Sequence, residues 1–181
     1  IPFASYLDHM RRNGLEKGVE RLLLDGSLRN DAVKRRAALA DLQSKIVAAP
    51  VDPFLLADVV AAIRANGKYT RMRFRSSTNA EDLAEFDGAG LYSSYTGDPA
   101  DPKKPVAEAI ARTWASLWSF RAYEEREYYG IDQRRVAMGV LVHRGFPDEG
   151  ANGVAITTNI YDPAYFGYVI NAQVGEVSVV D

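Results

Sequence analysis

The sequence lacks cysteine and lacks an excess of charge of either sign. The absence of cysteine excludes a disulfide scaffold, a thiolate zinc site and a cysteine nucleophile. Its 22 Lys and Arg residues stand against 24 Asp and Glu, so the formal net charge is −2. Proteins that wrap duplex nucleic acid normally carry a basic excess, and acidic tails or disordered activators carry the opposite. Neither class fits this chain.

The sequence also has no long hydrophobic run. Its most apolar stretch, residues 54–63, is interrupted by Asp58 and falls short of the roughly 18 residues that a membrane span needs. The N-terminus begins at Ile1 rather than Met, and no basic region followed by an apolar run is found there. We therefore expect a cytoplasmic protein, and we expect further sequence upstream of Ile1 in the natural polypeptide.

The residues that are present have the composition of an ordinary globular protein, because 47% are hydrophobic and 25% are charged. Apolar residues recur at helical spacing in segments 3–10 and 15–24, and Asn30 is a candidate cap for a helix over 31–48. A fourth helix is predicted to end at residues 66–67. On the third helix, the residues predicted to face inward are Val33, Ala37, Ala40 and Ile46.

At Tyr69 the apolar period changes from that of a helix to that of a strand. A loop is predicted over 77–102, followed by a single helix of roughly 25 residues over 105–129. Helices followed by a mainly antiparallel sheet with one long helix predict an α+β fold, with a helical subdomain over 1–67 and a β-rich subdomain over 68–181. The remaining strands are predicted over 136–142, 153–158, 168–173 and 177–180.

Three arginines alternate with apolar or small residues on the first predicted strand. For Arg71 and Arg73 a solvated sheet face is the favoured interpretation. Arg75 differs, because the polar residues 76–79 and a glycine-containing segment, 86–90, follow it. An arginine beside hydroxyls and exposed backbone N–H groups can bind phosphate oxygens. The spacing matches neither the dinucleotide fingerprint nor the P-loop, so phosphate binding and an ordinary mobile loop stay equally open at this point.

Several motifs are similar to a known family. The segments RFRSSTNAEDL (73–83) and FDGAGLY (86–92) resemble the signature of the N-terminal nucleotide-binding domain of phosphoenolpyruvate synthases and pyruvate phosphate dikinases. The segments TWASLWSFRA (113–122) and ANGVAITT (151–158) resemble a helix and a strand of the same domain. Plant-type α-glucan water dikinases have a similar sequence at the first of these segments. The resemblance extends over nearly the whole chain.

The resemblance implies an ATP-grasp-like domain in which ATP lies between two subdomains. Arg75 matches the arginine that contacts the transferred phosphates, and Arg121 matches a second phosphate-directed arginine. On a continuous helix, Arg121 would share an otherwise apolar face with Trp114, which is unusual for a charge without a partner or ligand, although an arginine head can also reach water. The polar turn and the small-residue loop expected to bind the phosphates are Ser76, Ser77, Thr78, Gly88, Ala89 and Gly90.

Two further residues are implied to lie near the nucleotide. His143 occupies a position next to the segment that lines the adenine in the family, where a pocket-wall role is favoured over catalysis. Glu176 matches the glutamate of a family turn near the nucleotide. Glu81 and Asp82 can help to hold Mg²⁺ but are more often turn and cap residues. The resemblance implies Mg²⁺ as well as ATP, with metal-binding acids beyond Asp181, so no metal ligand is predicted within this chain.

The resulting hypothesis is the ATP-binding part of a phosphotransferase similar to phosphoenolpyruvate synthase and pyruvate phosphate dikinase. A histidine in another domain would receive the phosphoryl group and pass it to pyruvate or a similar acceptor. The partners implied are ATP and the phosphohistidine and acceptor domains of the same polypeptide, and the chain alone is not expected to be active. The alternatives are a domain like that of α-glucan water dikinases and a non-catalytic module that binds nucleotide or polyphosphate. Binding of RNA or another polyanion through the three strand arginines is the least favoured, because the net charge is near zero.

Overall fold

In the computed structural model, the chain forms helices and antiparallel strands, which confirms the α+β class. The structure describes residues 1–80, 82–83, 86–88, 90–146, 148–162 and 164–175. The chain divides into two compact units, Ile1–Gly145 and Phe146–Asp181. The subdomain boundary expected near residue 67 stays a prediction.

Four helices precede the first strand, and two of them are capped by aspartates. The Asp52 carboxylate accepts hydrogen bonds from the N–H groups of Phe54 and Leu55. Asp31, rather than the predicted Asn30, caps the third helix by accepting from the N–H groups of Val33 and Lys34. These bonds satisfy backbone donors that a helix N-terminus leaves free. The helices are α1 (Phe3–Arg12), α2 (Glu16–Leu24), α3 (Ala32–Ala48) and α4 (Pro53–Ala65).

The face that α3 buries differs from the predicted one. Val33 is 80% exposed, and Ala37 and Ala40 are exposed as well, so three of the four residues expected to face inward do not. The helix instead buries its larger side chains, which remove more apolar area from water than alanine does. The buried residues of α3 are Leu39, Leu42 and Ile46.

A three-stranded antiparallel sheet follows, in the order β4–β1–β5. The predicted alternation is confirmed, because Met72 and Phe74 are buried while Arg75 is exposed on the opposite face. The segment predicted as a loop over 77–102 contains two short paired strands and one edge strand of this sheet. The strands of the first unit are β1 (Met72–Thr78), β2 (Asp82–Leu83), β3 (Phe86–Asp87), β4 (Tyr95–Gly97) and β5 (Met138–Arg144).

The single long helix predicted over 105–129 is wrong. Two helices occupy this region, α5 (Val106–Ala115) and α6 (Phe120–Tyr128), with a 3₁₀ turn over Ser116–Trp118 between them. Ser119 has extended backbone angles, φ −61° and ψ 146°, and its side chain accepts from the N–H of Ala122. Ser119 is therefore the N-cap of a new helix, which changes the face on which every later residue lies.

The core of the first unit joins the helices to the inner face of the sheet. Trp114 is fully buried, its ring lies 4.9 Å from that of His9, and Trp118 is also buried. The Nε1–H of Trp118 donates to the hydroxyl of Tyr6 at 2.9 Å. Residues of α1 to α5 and of β1 and β5 belong to this one cluster. The inner face of the sheet is thus covered by the helices, while on the other face Leu141 of β5 is 61% exposed.

The second unit contains an antiparallel pair, β6 (Ala151–Ile156) and β7 (Val169–Val174), close to two of the predicted strands. The strand predicted over 177–180 lies outside the described residues. Within the described parts of the chain, no single helix has the length and apolar character to cross a membrane. Only α3 and α4 taken together, bent by 72°, reach that length and composition.

Candidate phosphate-binding site

The face of the sheet that points away from α5, here called the outer face, carries three of the predicted site residues, Arg75 and Ser77 of β1 and His143 of β5. Directly opposite residues of antiparallel strands point to the same face. Arg73 lies opposite Thr96 of β4 and His143 of β5, and its Nη1 donates to the Thr96 hydroxyl at 3.2 Å. Arg75 lies opposite Leu141, which is 61% exposed. The outer face therefore places two arginines and a histidine side by side.

Arg75 is the cation that this face leaves available. Its side chain is exposed, and within the described residues no carboxylate lies within ion-pair distance of it. Arg73, in contrast, is half-buried and held by Thr96. A guanidinium that meets only water can exchange that water for an anion without breaking a protein contact. As far as the described residues go, Arg75 is thus able to bind a phosphate without giving up an ion pair.

His143 is half-buried on the same face, and its Nδ1 lies 2.7 Å from the carbonyl oxygen of Arg144. A carbonyl oxygen can only accept, so Nδ1 carries the proton and donates. Nε2 is the ring nitrogen that this contact leaves for another partner. The pocket-wall role predicted for His143 stays a prediction.

The polar turn after Arg75 divides between the two faces of the sheet. Ser77 is exposed on the outer face with Arg75, whereas the half-buried Ser76 lies on the inner side opposite Val140. The Thr78 hydroxyl accepts from the N–H of Ala80 at 3.2 Å, which closes a local turn. Of the three predicted hydroxyls, the one that shares the outer face with Arg75 is therefore Ser77.

Asn79 ties the end of β1 to the segment before β5. Its Nδ2 donates to the carbonyl oxygen of Arg135 at 2.8 Å, and its Oδ1 accepts from the N–H of Ala137 at 2.8 Å. Both ends of the amide are used, so the side chain is held in one orientation. The point at which the chain leaves β1 is consequently fixed by side-chain as well as backbone bonds.

The glycine-containing segment is attached to α6. Gly88 is buried and its carbonyl oxygen accepts from the N–H of Leu91 at 3.1 Å, while Gly90 is exposed with φ +75°, which favours glycine. Phe86 and Leu91 pack in a small cluster with Ala122 of α6. Ala89 lies outside the described residues. The structure therefore anchors both sides of the predicted phosphate loop and leaves Gly90 exposed at its turn.

Arg121 does not occupy the core-facing position expected for it. It is the second residue of α6 and is exposed, because the break at Ser119 rotates it away from the face of Trp114. The buried arginine of this helix is Arg126, which is 0% exposed. Sequence reasoning missed it, since a cation between glutamates at 125 and 127 is typical of a solvated helix face.

Metal ligands are not gathered in the described residues, which contain no group of three or more His, Cys, Asp or Glu side chains able to hold an ion. Glu81 and Glu176 lie outside those residues, as does the side chain of Asp82. The described residues therefore do not fit a Mg²⁺ site of their own.

An α+β domain with an exposed arginine that has no ion-pair partner in the described residues, and with a glycine-containing segment held against α6, has groups that can bind a phosphorylated ligand. The whole chain, residues 1–181, matches the family model described as pyruvate phosphate dikinase, AMP/ATP-binding domain. The chain belongs to that family, which confirms the resemblance noted in the sequence.

Named relatives lead to the same family. A phosphoenolpyruvate synthase of Aeropyrum pernix is 33% identical over 57% of this chain and 13% of its own length. A rifampicin phosphotransferase of Streptomyces is 33% identical over 60% of the chain and 12% of its own length, and one of Bacillus subtilis is 30% identical over 81% and 17%. The chain thus spans only a small part of the relatives that it matches.

Proposed function

We propose that this chain is the ATP-binding part of a phosphotransferase similar to phosphoenolpyruvate synthase and pyruvate phosphate dikinase, and that the phosphates of ATP bind at the outer face of the β4–β1–β5 sheet. Membership in the AMP/ATP-binding family supports the ligand. The observation that carries the location is the exposed guanidinium of Arg75, which has no ion-pair partner in the described part of the chain. Ser77 lies on the same face and adds a hydroxyl donor.

The remaining predicted residues complete the site. The loop of Gly88 to Gly90 closes over the phosphates with backbone N–H groups, and Arg121 supplies a second cation from the first turn of α6. His143 accepts one hydrogen bond at the wall of the base pocket. The proposal also keeps Glu176, which lies outside the described residues, as a residue near the nucleotide, on the ground of the family resemblance alone. Catalysis by such a site consists of positioning and charge neutralisation, as in other phosphoryl transfers. An ATP-grasp-like arrangement of the subdomains is part of the proposal.

The phosphoryl acceptor belongs to the rest of the polypeptide. The relatives are named for two different reactions, phosphoenolpyruvate synthesis and phosphorylation of rifampicin, although they share this domain. We propose that ATP is common to both and that other domains, one of them carrying a phosphorylated histidine, select the acceptor. Mg²⁺ would neutralise phosphate charge when bound, and its ligands would come from residues other than the described ones. We also propose a cytoplasmic location, which rests on the sequence features described above.

The phosphate role of Arg75 is tested by calorimetric titration of the full-length protein with ATP and Mg²⁺. Charge-assisted hydrogen bonds contribute about 1.5–3 kcal/mol, so Arg75→Ala should weaken binding by about tenfold to about 150-fold. Arg21→Ala is the matched control, because Arg21 is an exposed arginine on α2 that shares no element with the site. Equal affinities for the two variants would refute the role of Arg75, and no binding by the wild-type protein would refute ATP binding itself.

A further inference from the structure

The hydroxyl of Tyr92 links the two ends of segment 80–92, which contains the glycine loop of Gly88 and Gly90. It donates to the carbonyl oxygen of Ala80 at 3.0 Å, and it accepts from Nη1 of Arg126 at 3.3 Å. Ala80 is the residue at which the chain leaves the end of β1, and Tyr92 follows the loop that contains Gly88 and Gly90. A single hydroxyl group therefore links the two ends of segment 80–92, and Arg126 of α6 donates a hydrogen bond to that hydroxyl.

Arg126 is held in one orientation by neutral acceptors. Its Nε donates to Oε1 of Gln133 at 2.8 Å, and its Nη2 donates to the carbonyl oxygen of Leu117 at 2.8 Å. Burial lowers the pKa of Arg126, yet guanidinium groups stay protonated in proteins. Within the described residues it forms no ion pair. All three of its hydrogen bonds given by the described residues go to neutral acceptors, so these contacts fix the orientation of the guanidinium.

Gln133 locks this arrangement from the other side. Its Nε2 donates to the carbonyl oxygen of Tyr123 at 3.1 Å and to Oε1 of Glu127 at 3.0 Å. Because the amide nitrogen is occupied, the amide oxygen must face Arg126. The guanidinium is thus bound at Nε and Nη2 by fixed acceptors, which directs Nη1 at Tyr92. Networks in which every member is satisfied are the ones that rigidify a core.

We infer that Tyr92 and Arg126 are positioning residues that hold the glycine loop in the conformation that binds the phosphates of ATP. The predicted effect on ATP binding rests on the proposed function, whereas the predicted effect on the conformation of the loop does not. Neither residue needs to touch the nucleotide, since Arg126 is completely buried and Tyr92 is half-buried. Their contribution is pre-organisation: a loop whose base is already closed loses less conformational freedom when it binds.

The structure offers a matched control for this inference. The hydroxyl of Tyr6 is also buried and also hydrogen-bonded, accepting from Nε1 of Trp118, and no described residue of segment 80–92 bonds to it. Tyr92→Phe and Tyr6→Phe each remove one oxygen atom and keep the ring. A general loss of core stability should appear in both variants, whereas a loss of loop position should appear only in Tyr92→Phe.

The first measurement is hydrogen–deuterium exchange of the full-length protein without nucleotide. Loss of a hydrogen bond of about 0.5–1.5 kcal/mol should speed exchange in segment 80–92 by about two- to tenfold in Tyr92→Phe. The same segment should be unchanged in Tyr6→Phe. Equal exchange in this segment for wild type and Tyr92→Phe overturns the inference, whether or not the protein binds ATP.

The second measurement compares affinities for ATP and for adenosine, which lacks the phosphates. Tyr92→Phe should weaken ATP binding by about two- to tenfold and leave adenosine binding unchanged. Equal weakening for both ligands, or for neither, contradicts a role at the phosphates. Wild-type protein that binds no ATP refutes the proposed function, and the exchange experiment then decides the loop alone. Arg126→Lys, which keeps the charge and loses the fork, should reproduce the Tyr92→Phe pattern; should it fail to fold, Tyr92→Phe carries the test.

Discussion

Gly97 of β4 has no room for a side chain, and this gives a sharp test of how the sheet packs on α5. A Cβ atom at position 97 would lie 2.7 Å from Cε2 of Phe74 and 3.1 Å from Cβ of Ala109. Phe74 is 0% exposed at the centre of β1, so its ring has no free space to move into. The backbone of Gly97 is not left-handed, so the close approach alone requires glycine here.

Gly97→Ala should therefore destabilise the fold by about 1–3 kcal/mol, the usual cost of overpacking a core. In a Phe74→Leu background the atom that clashes is gone, since leucine has no Cε. The same Gly97→Ala change should then cost less but still something, because the approach to Cβ of Ala109 at 3.1 Å remains. Alanine offsets part of that cost, since it restricts the unfolded chain by about 0.4–1 kcal/mol more than glycine does. The effects of the two substitutions on the free energy of unfolding should therefore not be additive. We expect an interaction energy of about 1 kcal/mol, within the range of about 0.5–3 kcal/mol that contacting residues show.

Urea unfolding followed by tryptophan fluorescence measures this cycle, because the two tryptophans of the chain, Trp114 and Trp118, are buried in the same core. Gly18→Ala is the control: its Cβ would meet only Leu42 Cδ1, at 3.8 Å, within helix α2. That change should stabilise by about 0.5–1 kcal/mol. Additive effects of Gly97→Ala and Phe74→Leu, or equal signs for the two glycine substitutions, would refute the packing described.

Two further predictions concern the helical part. Burial lowers the pKa of His9, whose Nε2 bonds the carbonyl oxygen of Ile46, so the folded state binds fewer protons than the unfolded state. The stabilisation from the neutral His9 should be fully present above the unfolded pKa of 6.5 and should be lost as the pH falls below it. Free energies of unfolding measured at pH 7.5 and 5.5 will show this loss, and His9→Gln should make the difference between the two smaller. Asp52→Ala removes the cap of α4 and should cost about 1 kcal/mol by thermal unfolding, with an unchanged midpoint counting against the cap.

Local patterns in the sequence predicted local structure well. The alternation of arginines with Met72 and Phe74 predicted the two faces of β1 because strand periodicity needs no knowledge of the rest of the chain. The sheet edge at β4 was not predicted, since Tyr95–Gly97 is short and its pairing with β1 is a contact between distant residues. The buried face of α3 was missed for a similar reason: tertiary packing selects the stripe that carries Leu39 and Leu42 over the stripe rich in alanine.

The candidate site shows the same limit. Arg75 follows from strand alternation and lies on the outer face, whereas Ser77 was predicted to begin a loop and instead continues β1 on that face. The prediction that Arg121 faces the core depended on a continuous helix, and the cap at Ser119 invalidates that register. Arg126 takes the buried position instead, and its role depends on Tyr92 and on partners in other segments, which no single stretch of sequence reveals.

The central claim is that the outer face of the sheet binds the phosphates of ATP through Arg75. A structure of the full-length protein with a non-hydrolysable ATP analogue tests this most directly. We expect a phosphate oxygen about 3 Å from the Arg75 guanidinium, with the segment of Gly88 and Gly90 over the phosphates. An analogue bound with its phosphates elsewhere, and with Arg75 still surrounded by water, would contradict the account.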